Sequence, residues 1–283
     1  MNPELWLKSG EWLSIGGHRL FVRSVGRGMP VLALHAFPTS SYDYSRLVPL
    51  LSNHYHLILF DYPGYGFSDK SPVHPYSLFE CADLVSAVAA HFGIQRAYLL
   101  AHDIGSSIAL IGLLRQSLSI KKLILMNGSV VSIQFEDLTM RLIQRTLLHP
   151  TLGPWIGKLG LINRAFFAST TKKLFSYPLS RQELDDFWSI ITYNNGSQLY
   201  PVLMRYMLER WQYQYQWLDA LKEYPVPLTL IWGQADPIAR PAVADIVMSY
   251  LPEAIYIRLA GVGHYPHWET PELVAEVVKH VFG

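Results

Sequence analysis

The chain has 283 residues, of which 50% are hydrophobic and 16% charged, and its formal net charge is +1. This length fits one domain, or one domain with an insertion, and the scattered cations give no basic stripe that would bind nucleic acid. One cysteine excludes an intramolecular disulfide, no apolar run reaches the roughly 20 residues of a membrane-spanning helix, and residues 1–10 lack the apolar core of a signal peptide. We therefore expect a cytoplasmic globular protein without stable membrane insertion.

Short β-rich runs alternate with helical patterns along much of the chain. Ser77 and Glu80 have the spacing of a capping box, which predicts a helix from there to about His91, ended by Gly93. Thr270-Pro271-Glu272 predicts the start of a closing helix. Strands are predicted at 19–24, 30–35, 56–61, 97–102, 122–127, 228–232 and 254–259. The alternation predicts an α/β fold, with a mostly parallel sheet and helices on both of its faces.

The pattern changes between residues 129 and 217. Strand patterns disappear there, and Leu, Phe, Trp and Tyr recur at helical spacings interrupted by Pro150, Pro154, Pro178 and Gly196. We interpret 129–217 as a helical insertion that separates a first part of the core, 1–128, from a second part, 218–283.

The segment around Asp103 is typical of a nucleophile elbow. An apolar strand pattern is followed by Ala101-His102-Asp103-Ile104-Gly105 and a helix start, so small residues flank a sharp turn that carries Asp103 at its tip. The alternative is that Asp103 only caps the following helix. Two later segments favour the elbow, because Asp236 and then His264 each follow a late strand, in the order nucleophile, acid, histidine. Asn127 stands where an acid could also lie, but it carries no charge.

These blocks resemble the Asp-nucleophile branch of the α/β-hydrolase superfamily, which holds epoxide hydrolases and haloalkane dehalogenases. The resemblance rests on His35-Ala36-Phe37-Pro38-Thr39-Ser40-Ser41-Tyr42, Asp61-Tyr62-Pro63-Gly64-Tyr65-Gly66-Phe67-Ser68-Asp69-Lys70 and the elbow, and with Tyr193-Asn194-Asn195-Gly196 it is strongest to the mesoderm-specific transcript branch. It implies an α/β-hydrolase fold with an eight-stranded sheet and a helical cap. It also implies that the N–H groups of Phe37 and Ile104 form an oxyanion hole. Ala36 departs from the usual glycine.

A carboxylate nucleophile points to attack at a saturated carbon. Serine would form an ether there, which water does not readily cleave, whereas Asp103 forms an ester that His264, oriented by Asp236, can hydrolyse with a water. Neither Phe37 nor Ile104 has the side-chain N–H that dehalogenases use to hold a departing halide. The hypothesis is therefore an epoxide hydrolase-like enzyme.

Epoxide opening needs a proton donor, and we name Tyr206 and His149 as candidates. The aromatic insertion predicts a water-poor pocket for a small, hydrophobic, uncharged substrate. His35 and His102 are expected to hydrogen-bond the backbone around the elbow. The pocket residues are predicted to be His35, Pro38, Trp155, Trp188, Tyr193 and Trp211.

Other functions stay open at this point. A haloalkane dehalogenase-like enzyme and an ester or lactone hydrolase would use the same three residues, and a non-catalytic ligand-binding receptor could keep the same fold. An acyltransferase at a membrane surface is disfavoured, because no basic amphipathic helix is evident. No metal or organic cofactor is predicted, since no His, Cys and Asp cluster has ligand spacing, and the protein is expected to be a monomer or a homodimer.

Overall fold

The computed structural model describes residues 1–132 and 138–283. Eight strands form one sheet in the order β1-β2-β4-β3-β5-β6-β7-β8. The pairs β1·β2 and β2·β4 are antiparallel, and every later pair is parallel, so the predicted mostly parallel sheet is confirmed. The strands are β1 Glu11–Ile15, β2 His18–Val25, β3 Met29–Leu34, β4 Tyr55–Phe60, β5 Arg96–His102, β6 Ser119–Met126, β7 Leu228–Gly233 and β8 Ile255–Leu259.

Helices cover both faces of the sheet. They are α1 Pro3–Lys8, α2 Val48–Leu51, α3 Leu78–His91, α4 Ile104–Arg115, α5 Leu138–Leu148, α6 Leu152–Lys158, α7 Arg164–Thr171, α8 Arg181–Thr192, α9 Tyr200–Leu203, α10 Tyr206–Glu223, α11 Pro241–Tyr250, α12 Pro266–Glu269 and α13 Pro271–Phe282, with 3₁₀ helices at Ser41–Arg46 and Tyr193–Leu199. None of the described helices is long and apolar enough to cross a membrane.

The predicted helix starts and ends are mostly confirmed. Ser77 caps α3 by accepting the N–H of Phe79, and Gly93 follows the helix in a left-handed conformation. The predicted return hydrogen bond from Glu80 to the start of the helix is wrong, because the Glu80 carboxylate binds His18 and His74 instead. Strand β1 escaped the sequence analysis: only one of its five side chains is buried, so it lacks the alternation that marks a strand.

Within the described residues, the region predicted as an insertion consists of helices joined by turns and irregular segments, without a strand. Helices α5 to α10 lie between β6 and β7, and we call residues 138–223 the helical segment. Helix α10 continues to Glu223, so the chain returns to a strand later than residue 217. The division of the chain into core and insertion at 128 and 217 stays a prediction.

Candidate active site

The candidate catalytic residues meet because of the sheet topology. Parallel strands end at the same edge of a sheet, where ligands bind in open α/β folds. Asp103 follows β5, Asn127 follows β6, Asp236 lies beyond β7 and His264 lies beyond β8, while Phe37 follows β3 in the centre of the sheet. Residues far apart in sequence thus converge at one edge.

Asp103 lies in a strained turn. Its φ of 48° and ψ of −117° are unusual for a residue with a side chain. Chain packing explains why Gly105 follows, since a Cβ there would lie 2.4 Å from the carbonyl oxygen of Leu34. The sharp turn that the sequence predicted at Asp103 is therefore present.

The Asp103 carboxylate accepts a hydrogen bond from the loop after β3. Its Oδ2 atom accepts the N–H of Phe37 at 3.1 Å, and within the described chain the side chain makes no capping bond to α4. The interpretation of Asp103 as a mere helix cap is therefore wrong. One carboxylate oxygen lies in the position predicted for the oxyanion hole.

His264 is held by Asp236. Its Nδ1 atom lies 2.6 Å from Asp236 Oδ2, and that same oxygen accepts Asn127 Nδ2 at 2.7 Å. The other oxygen of Asp236 accepts the N–H groups of Ile238 and Ala239. Because both Asp236 oxygens are fixed, the imidazole has a defined orientation, with Nδ1 carrying the proton toward the carboxylate.

Burial and charge oppose each other at these groups. Burial raises the pKa of the Asp103 carboxyl above its usual range, although His264, the N–H of Phe37 and Arg210 pull it down. Burial alone would lower the pKa of His264, but Asp236 and, to a smaller extent, Asp103 outweigh it and raise that pKa to about 9. At neutral pH His264 is therefore an imidazolium beside a carboxylate.

An apolar cavity of about 70 Å³ adjoins the carboxylate and the imidazole. By this measure a cavity needs about 10–15 Å³ to hold one water, so this cavity can hold a small molecule. Its polar side chains, apart from Asp103 and His264, are hydroxyls. The cavity is lined by Phe37, Pro38, Asp103, Met140, Ile143, Leu147, Phe166, Thr170, Thr171, Leu174, Tyr200, Met204, Tyr206, Met207, Ile238 and His264.

Two tyrosines line this cavity. Tyr206 begins α10, and its ring packs 5.4 Å from that of Phe37. Burial and then the charge of Asp103 raise the pKa of Tyr206 above its usual range, while Arg210 opposes them. Tyr200, which the sequence analysis missed, also lines the cavity, and its ring packs 4.8 Å from that of Phe37. Only its aromatic type in the helical segment could have indicated it.

Arg210 lies buried behind Tyr206 on the same helix. Its Nε donates to Ser132 Oγ at 3.2 Å, and its guanidinium carbon lies 5.4 Å from the centre of the Tyr206 ring. No carboxylate in the described part of the chain forms an ion pair with it. The charge of Arg210 acts on two groups nearby, because it lowers the pKa of both the Asp103 carboxyl and the Tyr206 hydroxyl.

Several predicted site residues lie elsewhere. His149 is exposed, and its Nδ1 accepts the N–H of Thr151, so its assignment as a proton donor to the cavity is wrong. His35 is buried below the loop, where it bonds the carbonyl of Ala36 and the N–H of Tyr62, as expected for a structural histidine. Four aromatic residues predicted in the pocket do not line it: Trp155 and Trp211 are 59% and 72% exposed, while Trp188 packs on Phe167 and Tyr193 on Phe67. Pro38 does line it.

Among the residues that the structure describes, two groups of side chains could hold a metal ion, and both lie outside the cavity lining. His18, His74 and Glu80 are half-buried near one another, and Asp43, His102 and His267 are fully buried. Sequence spacing could not find either group, because each comes from separate segments. His102 also donates from Nε2 to the carbonyl of His264, which connects the elbow to the loop that carries the imidazole.

Comparison with known proteins decides the family. The sequence profile of the alpha/beta hydrolase fold matches residues 29–271. The chain belongs to the α/β-hydrolase family. It is a hydrolase of that superfamily, as its sequence predicted.

Individual relatives agree with this membership. LipZ of Mycobacterium tuberculosis, named as a hydrolase, is 35% identical in an alignment of 279 positions that covers 96% of this chain and 94% of LipZ. The mesoderm-specific transcript protein of Mus musculus is 33% identical over 96% of this chain and 85% of its own length, which confirms the predicted resemblance. The haloalkane dehalogenase DbeA from Bradyrhizobium elkani has a similar structure, with a TM-score of 0.83, 25% identity and coverage of 97% of this hydrolase and 98% of DbeA.

Proposed function

We propose that this hydrolase uses Asp103 as a nucleophile and forms a covalent alkyl-enzyme ester. The observation that carries the proposal is the position of the Asp103 carboxylate, with Oδ2 3.1 Å from the N–H of Phe37 in a cavity that His264 also lines. Because the N–H of Phe37 binds Oδ2, the other carboxylate oxygen of Asp103 is available for attack. The mechanism needs nothing beyond the side chains already in place.

In the first step, Asp103 attacks a ring carbon of an epoxide. The carbon–oxygen bond of the ring breaks, and Tyr206 gives its proton to the alkoxide as it forms. Because the anion of Asp103 helps to hold the pKa of Tyr206 up, consuming that charge makes Tyr206 a stronger acid at the moment it must donate. Arg210 then stabilises the phenolate.

In the second step, a water attacks the carbonyl carbon of the ester. Asp103 is now uncharged, so it no longer raises the pKa of His264, and the imidazolium loses its proton more readily. The proton released from His264 restores Tyr206. Neutral His264 then takes a proton from the water, and the N–H groups of Phe37 and Ile104 bind the oxyanion. The diol leaves with the proton from His264, and the Asp103 carboxyl then passes its own proton to His264, which restores the carboxylate and the imidazolium.

The cavity favours a small, apolar and uncharged substrate. Its lining side chains, apart from Asp103 and His264, are aliphatic, aromatic, thioether or hydroxyl groups, so nothing there would balance a charged substrate. With a volume of about 70 Å³, it fits only a small substrate unless the helical segment moves.

A haloalkane dehalogenase-like function is the second candidate, supported by the structural similarity to DbeA. The argument against it is that a departing halide would find no side-chain N–H donor other than His264 among the described lining residues. Each positioned donor contributes about 10²–10³ in rate. An epoxide instead leaves as a tethered alkoxide, for which Tyr206 and Tyr200 supply hydroxyls.

Trapping the intermediate separates these chemistries. The variant His264→Gln keeps Asp103 but lacks the base, so mixing it with 1,2-epoxybutane should raise the mass of the intact protein by the full mass of the epoxide. A haloalkane would add its mass less that of the hydrogen halide, and an ester would add an acyl group. The double variant Asp103→Ala, His264→Gln is the control and should stay unmodified. An unmodified His264→Gln protein with every electrophile would refute the nucleophile assignment and favour a receptor.

A further inference from the structure

The outer surface of α5 and α6 is unusually apolar for a water-facing region. In the described part of the chain, fourteen large hydrophobic side chains are exposed, and nine of them lie between residues 138 and 215. Single exposed leucines are ordinary, whereas a concentration of this kind marks an interaction surface. Six belong to α5, α6 and the turn that follows, and we call them the outer apolar patch: Leu138, Leu142, Leu152, Trp155, Leu159 and Leu161.

Helical spacing separates the patch from the cavity. On α5, Met140, Ile143 and Leu147 line the cavity, while Leu138 and Leu142 are 62% and 55% exposed on the opposite side. This helix is therefore apolar on two faces, and packing against the protein explains only one of them.

Helix α6 likewise has one side packed against the protein and one side exposed. A Cβ at Gly153 would lie 2.1 Å from the carbonyl oxygen of Leu147, and one at Gly157 equally close to that of Gln198, so its inner face is pressed against the protein. Its outer side presents Trp155, and Lys158 extends over the indole at 5.6 Å. A tryptophan beside a lysine is the pair that lies at the boundary between water and lipid.

The charge of this region indicates its partner. Residues 138–173 contain six Arg and Lys and no Asp or Glu, whereas the whole chain carries a net charge of only +1; Glu136 and Asp137 precede this range, and Arg164 within it pairs with Asp185. Arg145, Lys158 and Lys172 are exposed. Cations flanking exposed leucines and a tryptophan match an anionic lipid surface, where each cation contributes to binding. The sequence analysis missed this surface, because the sequence alone does not show that α5 buries one apolar side and exposes the other.

We propose that the outer apolar patch docks the hydrolase on the surface of an anionic lipid bilayer, without crossing it. The patch enters the boundary between headgroups and acyl chains, and the flanking cations contact the headgroups. Because α5 lies between this surface and the cavity, docking would bring the cavity wall next to the membrane, where apolar small molecules accumulate.

Vesicle flotation with the full-length protein tests the proposal without any assay of activity. The protein should float with mixed phosphatidylcholine–phosphatidylglycerol vesicles, less with phosphatidylcholine alone, and less again as salt rises. Trp155→Gln with Leu159→Gln should abolish flotation. The matched control, Leu5→Gln with Leu273→Gln, changes exposed leucines outside the helical segment and should float like the wild type.

A second pair isolates the charge. Arg145→Gln with Lys158→Gln should weaken binding to anionic vesicles by about five-fold for each cation removed, while Arg27→Gln with Lys121→Gln, two exposed cations elsewhere, should not. Circular dichroism checks that each variant is folded. Flotation that is absent, or that is unchanged by the Trp155 and Leu159 substitutions, overturns the proposal. So does a wild-type dimer in sedimentation that these same substitutions convert to a monomer, since the patch would then join two copies.

Discussion

The Nδ1 atom of His264 lies 2.6 Å from Oδ2 of Asp236, the oxygen that also accepts Asn127 Nδ2. Asn127 is thus a direct hydrogen-bond neighbour of the acid, at the end of the adjacent strand. Asp236→Asn should lower kcat by about 10³- to 10⁴-fold, because the imidazole loses its orienting charge. Adding Asn127→Asp should recover part of that loss, which steady-state kinetics on the single and double variants would measure. A double variant no faster than Asp236→Asn would show that Asn127 cannot supply the charge.

The raised pKa of His264 predicts how stability depends on pH. The folded pKa of about 9 exceeds the ordinary value of 6.5, so protonated His264 stabilises the folded state. That contribution, about 3 kcal/mol, is complete below pH 6.5 and is lost as the pH rises through 9. The difference in unfolding free energy between the wild type and His264→Gln should shrink between pH 6.5 and 9.5 in denaturant titrations. A difference that does not change over this range would mean that His264 is not charged in the folded protein.

Tyr206 should matter for opening the ring and Tyr213 should not. Tyr206→Phe is expected to slow epoxide turnover by about 10²–10⁴-fold, the usual contribution of a positioned acid. Tyr213→Phe is the matched control, because that residue is on the same helix but packs on Phe79 and Trp217. Initial rates on one epoxide compare the two. Equal rates for both variants would remove Tyr206 as the donor and leave Tyr200 to be tested in the same way.

Arg210 should act through its charge. Arg210 helps to hold down the pKa of the Asp103 carboxyl, so Arg210→Met should let that pKa rise and move the acid limb of kcat/KM to higher pH. Arg210→Lys keeps a cation and should return the limb toward its wild-type position. If both variants are slower but keep the wild-type pH profile, Arg210 supports the fold and does not tune the site.

The fold and the three central residues could be predicted because their signals are local. The pattern small-x-Asp-x-Gly requires a small residue for steric reasons, as the close approach of Gly105 to Leu34 shows. The order of the parallel strands then places Asp236 and His264 at the same edge of the sheet as Asp103. The helical segment gave no such signal. Aromatic residues occur on both sides of its helices, so sequence alone could not separate the lining residue Tyr200 from the exposed Trp155 and Trp211.

The error at His149 has a related cause. This residue follows α5 on the exposed side, where its ring accepts bonds from the next turn. Distance along the sequence does not fix the direction of a side chain in a segment whose helices pack by tertiary contacts.

A single turnover in ¹⁸O water tests the central claim most directly. Wild-type hydrolase in excess over one epoxide is digested, and the peptide that contains Asp103 is weighed together with the diol. The proposal predicts that the label enters the Asp103 carboxylate, because water attacks the ester there, and that the first diol takes its new oxygen from the protein. Label in the diol and none in the peptide would contradict a nucleophilic Asp103, since water would then have attacked the epoxide directly.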